Sequence, residues 1–292
     1  MMHYEGPIYR PPSEADSLLV QATVGCPHNR CTFCMVYKNG PRYKVRPVAD
    51  ICEDLLQAAQ IHGSTVSTLF FPAGNTIAMK TSDLCEICQY AYQVFPKLNR
   101  ITVYGSFQYI HQKGLEQLKR LAAAGLARIH VGLESGDDAV LRRLRKGTHS
   151  GQQIEAGKWV MKAGIELSLY VMLGIGGKDR TVSHAIETAR VLNAVAPNFI
   201  RLRTFLPKID TPLLADVTSG RFQMLGPHAI LRETRQIIAA LSVTSRLTSD
   251  HYTNHINLEG GLPEDKPLLL AQIESALKRD ESTFRSFYVG TQ

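Results

Sequence analysis

Short apolar runs alternate along this chain with longer stretches in which apolar residues recur every three or four positions. The runs at 18–24, 66–71, 101–104, 127–132, 166–173 and 198–204 have the length and residue types of strands. Between them, 48–59 sets Val48, Ile51, Cys52, Leu55 and Ala59 on one helix face, and 83–95, 115–124, 152–163 and 183–194 read the same way. Gly63, Gly125 and Gly164 follow three of these helices, where a left-handed cap favours glycine. Strand–helix alternation of this kind predicts an α/β fold with a parallel sheet and helical crossovers. The alternation ends near Leu206; 207–212 reads as a loop, and 229–241 and 268–277 as two further helices. We expect a lead-in over 1–17, a core over 18–214 and a C-terminal helical and loop cap over 215–292, too thin to bury a core of its own. Periodicity alone leaves two arrangements open, a doubly wound sheet or a partial (β/α)6 barrel.

Composition narrows the class. The 292 residues are 44% hydrophobic and 20% charged, ordinary for a globular protein. No apolar stretch approaches the roughly 20 residues that cross a bilayer, so no membrane partner is expected. The formal charge of +7 suits an anionic ligand, but the basic residues are scattered, which argues against nucleic acid as the partner. Six cysteines without an apolar leader fit a reducing cytoplasm better than a disulfide framework.

Half of those cysteines crowd one loop, Gly25-Cys-Pro-His-Asn-Arg-Cys-Thr-Phe-Cys34, directly after the first strand. Soft thiolates so close together suit zinc or an iron–sulfur cluster. Cys26, Cys31 and Cys34 with His28 would make a Cys3His zinc set, although such sites mostly draw on two separated pairs. Three cysteines on a four-iron cluster would leave one iron open to a small molecule. Cys85 and Cys88 form a second C-x2-C, but within a helical segment, where two free cysteines, like Cys52, are expected to pack as small hydrophobes.

The cysteine loop resembles that of the radical S-adenosylmethionine (radical SAM) superfamily, whose usual spacing is C-x3-C-x2-C with an aromatic residue before the last cysteine. Phe33 holds the aromatic place, and the first gap is one residue longer, C-x4-C. The Gly-Leu-Glu-Ser-Gly wording at 132–136 resembles the branch containing methylthiotransferases, cobalamin-dependent members and coproporphyrinogen dehydrogenases. The resemblance implies a partial (β/α)6 TIM-like barrel, a [4Fe–4S] cluster on Cys26, Cys31 and Cys34, and S-adenosylmethionine chelating the open iron. It also implies a low-potential electron donor of flavodoxin or ferredoxin type.

In such a barrel, functional residues stand at the carboxyl ends of strands. The second strand runs into Ala73-Gly74-Asn75, which resembles the family's Gly-Gly-Glu-type turn for the methionyl amino group but lacks its acid. The third ends at Tyr104-Gly105-Ser106, with Ser106 near a ribose hydroxyl. By resemblance Glu134, followed by Ser135, binds the ribose and Lys146 the methionyl carboxylate. Gly174 and Ile175 let the backbone approach adenine, and Phe205 and Leu206 lie beside it. Gly174-Ile-Gly-Gly177 is no phosphate loop, since no Gly-Lys-Ser/Thr follows. On the substrate side, Arg201 and Arg203 alternate on one strand and, facing inward, would suit an anionic substrate. Asp250, His251 and Asn254 lie in a polar cluster expected to cover the barrel mouth, His251 as a possible proton shuttle. A small-molecule substrate is the leading expectation. A tRNA- or peptide-modifying enzyme and a non-catalytic zinc module remain the alternatives.

Overall fold

Strand and helix alternate through the chain as the pattern predicts. The computed structural model describes residues 2–6, 8–207 and 211–284, so part of the expected 207–212 loop and the end of the expected cap lie outside the described residues. The elements run β1 (Leu18–Leu19), β2 (Thr23–Val24), β3 (Lys44–Val45), α1 (Val48–His62), β4 (Thr68–Phe71), α2 (Thr81–Val94), β5 (Arg100–Gly105) and α3 (Phe107–Ala123). Then follow β6 (Leu126–Glu134), α4 (Asp138–Arg143), α5 (Ser150–Lys162), β7 (Glu166–Leu173), α6 (Gly177–Val195) and β8 (Phe199–Thr204). The remainder is α7 (Pro212–Thr218), α8 (Pro227–Ala240), β9 (Ser245–Thr248), β10 (Glu259–Leu262) and α9 (Lys266–Leu277). The eight-stranded sheet has the order β1-β4-β5-β6-β7-β8-β9-β10, mostly parallel, with β10 turning back antiparallel to β9. Among the described residues no helix is long and apolar enough to cross a membrane.

The chain divides into two compact units. The first comprises Met1–Asn29, Val36–Val131 and Ala156–Leu167. Its fully buried residues include Leu69, Phe70, Phe71, Ile101 and Val103 of the sheet, Ile51 and Leu55 of α1, and Leu84 and Ile87 of α2. Each such side chain contributes about 1.5–3 kcal/mol by leaving water. The lead-in is fastened to this unit by Glu14, whose carboxylate accepts from Ser17 Oγ at 2.6 Å, lies 3.1 Å from His130 Nε2 and pairs with Arg100 at 3.1 Å. Burial alone would raise the Glu14 pKa; the hydrogen bonds from His130 and Ser17, with the charges of His130 and Arg100, outweigh it and bring it down to about 2.

The second unit comprises Arg30–Met35, Gly132–Glu155 and Ser168–Gln292. Alternate residues of β7 and β8 (Leu169, Val171, Leu173, Ile200 and Leu202) are buried, as are Ala185, Ala189 and Leu192 of α6 and Ile230, Ile237 and Ile238 of α8. Helices α6 and α8 pack on each other, and α8 on α9.

Local chemistry moved several boundaries. The expected strand at 18–24 divides because Gln21 turns its amide to the lead-in, accepting from Glu5 N and donating to Glu5 O. Beyond it, Thr23 and Val24 leave the main sheet and pair antiparallel with β3. Helix α3 begins at Phe107, well before the expected 115, because the non-helical Gly114 (φ 70°, ψ 171°) interrupts the apolar periodicity. Helix α4 stops at Arg143, and Arg145 turns left-handed (φ 51°). Strands β9 and β10 carry too few β-branched or aromatic residues to stand out from loop, Glu259-Gly-Gly-Leu262 least of all.

Candidate functional site

The first half of the cysteine loop is built in the first unit. Strand β2 delivers Gly25, whose φ of +67° and lack of room (an added Cβ would meet Pro41 O at 2.7 Å) require glycine. Gly25 O accepts from Gly74 N at 3.1 Å, which lays the turn after β4 against the loop. An added Cβ on Gly74 would stand 2.8 Å from Cys26 Cβ and 2.6 Å from Tyr37 Cε2. Ala73 is buried with φ 94°, and Asn75 is 1% exposed. Asn75 Nδ2 donates to Ser106 Oγ at 2.9 Å, while its Oδ1 is buried without a hydrogen bond. Cys26, Gly74, Asn75 and Ser106 are thus drawn together. Tyr104, half-buried, sets its ring edge-on to Phe70 at 4.9 Å. Asn29 braces the loop, donating to Tyr37 O at 3.0 Å and accepting from Lys38 Nζ at 2.9 Å. His28 is half-buried within the same loop.

The second half belongs to the second unit. Thr32 pins it to the end of α4: its N–H donates to Leu144 O at 2.9 Å and its hydroxyl to Arg143 O at 3.2 Å. Phe33 packs with Met172 against a buried cluster that contains Ile175 and Phe205, bringing three of the expected residues into one apolar patch. Leu206, by contrast, is half-buried outside that cluster. Lys146 Nζ sits 5.6 Å from the Phe33 ring centre and 2.8 Å from Glu134 Oε1, in a pair whose side chains are each 10% exposed. Burial by itself disfavours the ammonium, but the charges of Glu134, Cys31 and Cys34 outweigh it and raise the Lys146 pKa. Glu134 adopts φ +61°, and its carboxylate folds back over Gly132, where an added Cβ would meet Glu134 Oε1 at 2.1 Å.

The same unit holds a polar network, largely buried, that sequence reading missed. Ser135 Oγ lies 2.8 Å from His184 Nδ1, and His184 Nε2 lies 3.6 Å from Glu233 Oε1. Glu233 accepts from Gly174 N at 2.6 Å and from Thr181 Oγ1 at 2.5 Å. Burial pushes the His184 pKa down despite Glu233 and Asp137, so the ring is neutral and orients rather than titrates. The available signal was a carboxylate at Glu233 among the buried positions Ile230, Thr234 and Ile237 of α8.

The substrate-side candidates separate. Arg201 is buried on β8, and Arg203 half-buried two residues on. Asn254 is consumed by β8, accepting from Thr204 N at 2.8 Å and donating to Leu202 O at 2.8 Å. His251 Nδ1 faces Thr253 Oγ1 at 2.8 Å and its ring lies 4.4 Å from Tyr252, while Asp250 is exposed. Cys88 is fully buried and Cys52 and Cys85 partly so, and burial raises all three thiol pKa values, as packing residues show.

Cys26 falls in a different unit from Cys31 and Cys34, and among the described residues no three His, Cys, Asp or Glu side chains form a ready ligand set for a metal ion. The family model of the radical SAM superfamily matches residues 20–190. Among curated proteins, the tRNA-2-methylthio-N(6)-dimethylallyladenosine synthase of Dehalococcoides mccartyi is 25% identical over 218 residues, 71% of this chain and 49% of that protein. The chain spans 34–49% of the length of the curated relatives it matches. Among solved structures, the Escherichia coli coproporphyrinogen III oxidase gives a TM-score of 0.59 at 17% identity, covering 92% of this chain and 60% of that one. Methylornithine synthase gives 0.54 at 15% identity, covering 91% and 83%. These likenesses establish the fold as the partial TIM-like barrel.

Proposed function

The chain belongs to the radical SAM superfamily, whose enzymes use a [4Fe–4S] cluster and S-adenosylmethionine, and we propose that Cys26, Cys31 and Cys34 hold the cluster while the flanking turns hold the cosubstrate. The chemistry this pair supplies when bound is one-electron cleavage of S-adenosylmethionine to methionine and a 5′-deoxyadenosyl radical, which takes hydrogen from a small substrate. The electron comes from an external low-potential donor of flavodoxin or ferredoxin type; cluster potentials reach about −700 mV, low enough for that reduction. A reducing cytoplasm suits such chemistry.

The residues present fit the groups. The observation that carries the reading is the three-cysteine loop Cys26–Cys34 within the matched family region, with the nearly buried Lys146–Glu134 pair at 2.8 Å and Lys146 Nζ 5.6 Å from the Phe33 ring of that loop. The unpaired Asn75 Oδ1 is an acceptor for the methionyl ammonium. Glu134 keeps its second oxygen for ribose hydroxyls, and Lys146, already steered by Glu134, meets the methionyl carboxylate. Ser106 and Tyr104 line the ribose side. Ile175 and Phe205, buried together, and Leu206 flank adenine, while the Gly174 N–H is withdrawn toward Glu233.

A second reading, tRNA modification, draws on the tRNA-acting curated relative. RNA binding that falls steeply with salt would support it.

The test is anaerobic reconstitution with iron and sulfide, reduction, and addition of S-adenosylmethionine. Wild type should bind about four irons, absorb as an iron–sulfur protein and release deoxyadenosine; Cys31→Ala should do none of these. A colourless protein holding one zinc and leaving S-adenosylmethionine intact would refute the reading and leave a zinc module.

A further inference from the structure

Among the described residues three arginines are buried: Arg46, Arg128 and Arg201. Arg46 pairs with Asp54 at 2.6 Å and Arg128 with Glu166 at 2.7 Å. Arg201 has no carboxylate among the described residues. At 7% exposure its guanidinium meets neutral groups instead: Nε donates to Ser168 Oγ at 3.1 Å and Nη1 to Thr248 Oγ1 at 3.3 Å, and its carbon lies 5.8 Å from the Phe199 ring centre. A buried guanidinium without a countercharge is destabilising unless an anion completes it.

Its surroundings read as a holder. Ser168 comes from β7 and Thr248 from β9, so the fork is fixed from both neighbouring strands, with N–H groups to spare. Residues two apart on a strand share a face. Arg203 therefore projects on the same side, about 6–7 Å further toward the strand's carboxyl end, opposite buried Ile200 and Leu202. Among the described residues Arg203 makes no hydrogen bond or ion pair. Two forks in line, one fixed and one uncommitted, match acceptors with paired oxygens.

We propose that Arg201 and Arg203 form the anchoring site for an anionic group of the substrate, a carboxylate or a phosphate, remote from the position that loses hydrogen. This rests on the reading of the protein as a radical enzyme acting on a small molecule, and names that molecule's class. Ser168 and Thr248 are positioning residues that set the Arg201 fork before the anion arrives.

The experiment uses the full reconstituted chain saturated with S-adenosylmethionine, so that the cosubstrate's own carboxylate does not enter the comparison. Succinate, inorganic phosphate and uncharged 1,4-butanediol are titrated by ligand-observed NMR, and deoxyadenosine release is read on the same wild-type sample. At least one anion should bind, the diol should not, Arg203→Gln should weaken the anion about tenfold, and Arg201→Gln should abolish binding. The stronger of the two anions tells a carboxylate from a phosphate. Because Arg201 also braces three strands, Arg203→Gln, which breaks no contact of the described fold, is the decisive variant. Binding of neither anion above the diol, or unchanged binding by Arg203→Gln, overturns the site. Deoxyadenosine release without anion binding sinks this proposal alone, whereas anion binding without deoxyadenosine sinks the radical reading and leaves the anion site standing.

Discussion

Gly132→Ala should disable cosubstrate binding through a single methyl group. The new Cβ would lie 2.1 Å from Glu134 Oε1 and 2.9 Å from Lys146 Nζ, and both side chains are held, being 10% exposed. Relief requires the carboxylate to retreat by about 1 Å, since non-bonded carbon and oxygen seldom approach closer than about 3.3 Å. Drawing a pair from 2.8 Å to about 4 Å at an effective dielectric near 20 removes about 2 kcal/mol of attraction. That loss lowers the melting temperature by roughly 4–8 °C for a protein of this size. Misplacement of the two groups proposed to grip ribose and carboxylate should weaken S-adenosylmethionine about 10- to 100-fold. Equilibrium dialysis against the reconstituted protein measures the affinity, and circular dichroism the melting. Gly164→Ala is the control: its φ is +80° and no atom lies within 4 Å of the added Cβ, so backbone strain alone is felt. Affinity within twofold of wild type in Gly132→Ala would refute the roles given to Glu134 and Lys146.

Gly74→Ala, whose Cβ would meet Cys26 Cβ at 2.8 Å, should lower iron content and cluster absorbance while leaving Cys88 unreactive toward a thiol reagent. Glu14 has its pKa depressed to about 2, so it contributes stability above its unfolded value near 4.5, and that contribution disappears as pH falls from there toward 2. The amount is about 3 kcal/mol; urea unfolding should show Glu14→Gln less stable at pH 7 and with a flatter profile between pH 4.5 and 2. Glu233→Gln keeps an acceptor for Gly174 N but loses charge beside His184; it should raise the KM for S-adenosylmethionine about fivefold with kcat little changed, and an unchanged KM would argue against the network's role.

Elements with strong local signals were legible in the amino-acid order. Six apolar runs and the helices between them emerged because each buries one periodic face, and the cysteine loop because few other uses exist for thiols so spaced. Helix α3 was cut short in the reading because Gly114 breaks the apolar phase, although the chain resumes its helix on both sides. Lys146 was named by resemblance alone; its burial, through the left-handed turn at Arg145 and the return of Glu134 across Gly132, has no local sequence signal. His184 and Glu233 carried no motif, since their partnership depends on α6 meeting α8, a contact between residues far apart in the chain. Asn254 read as a substrate contact from its polar company, whereas both ends of its amide are spent on β8.

The fastening of Glu233 and Asn254 bears on how the protein can be handled as a recombinant fragment. A fragment ending at 214 would strip Gly174 N of its carboxylate acceptor and Thr204 N of its amide. It would also remove β9, which pairs with β8 from Phe199 to Arg201, and turn β8 into a raw edge open to pairing with other chains. Truncation to the barrel strands should therefore yield aggregates rather than a minimal enzyme, and sedimentation of a 1–214 fragment beside the full chain would reveal it.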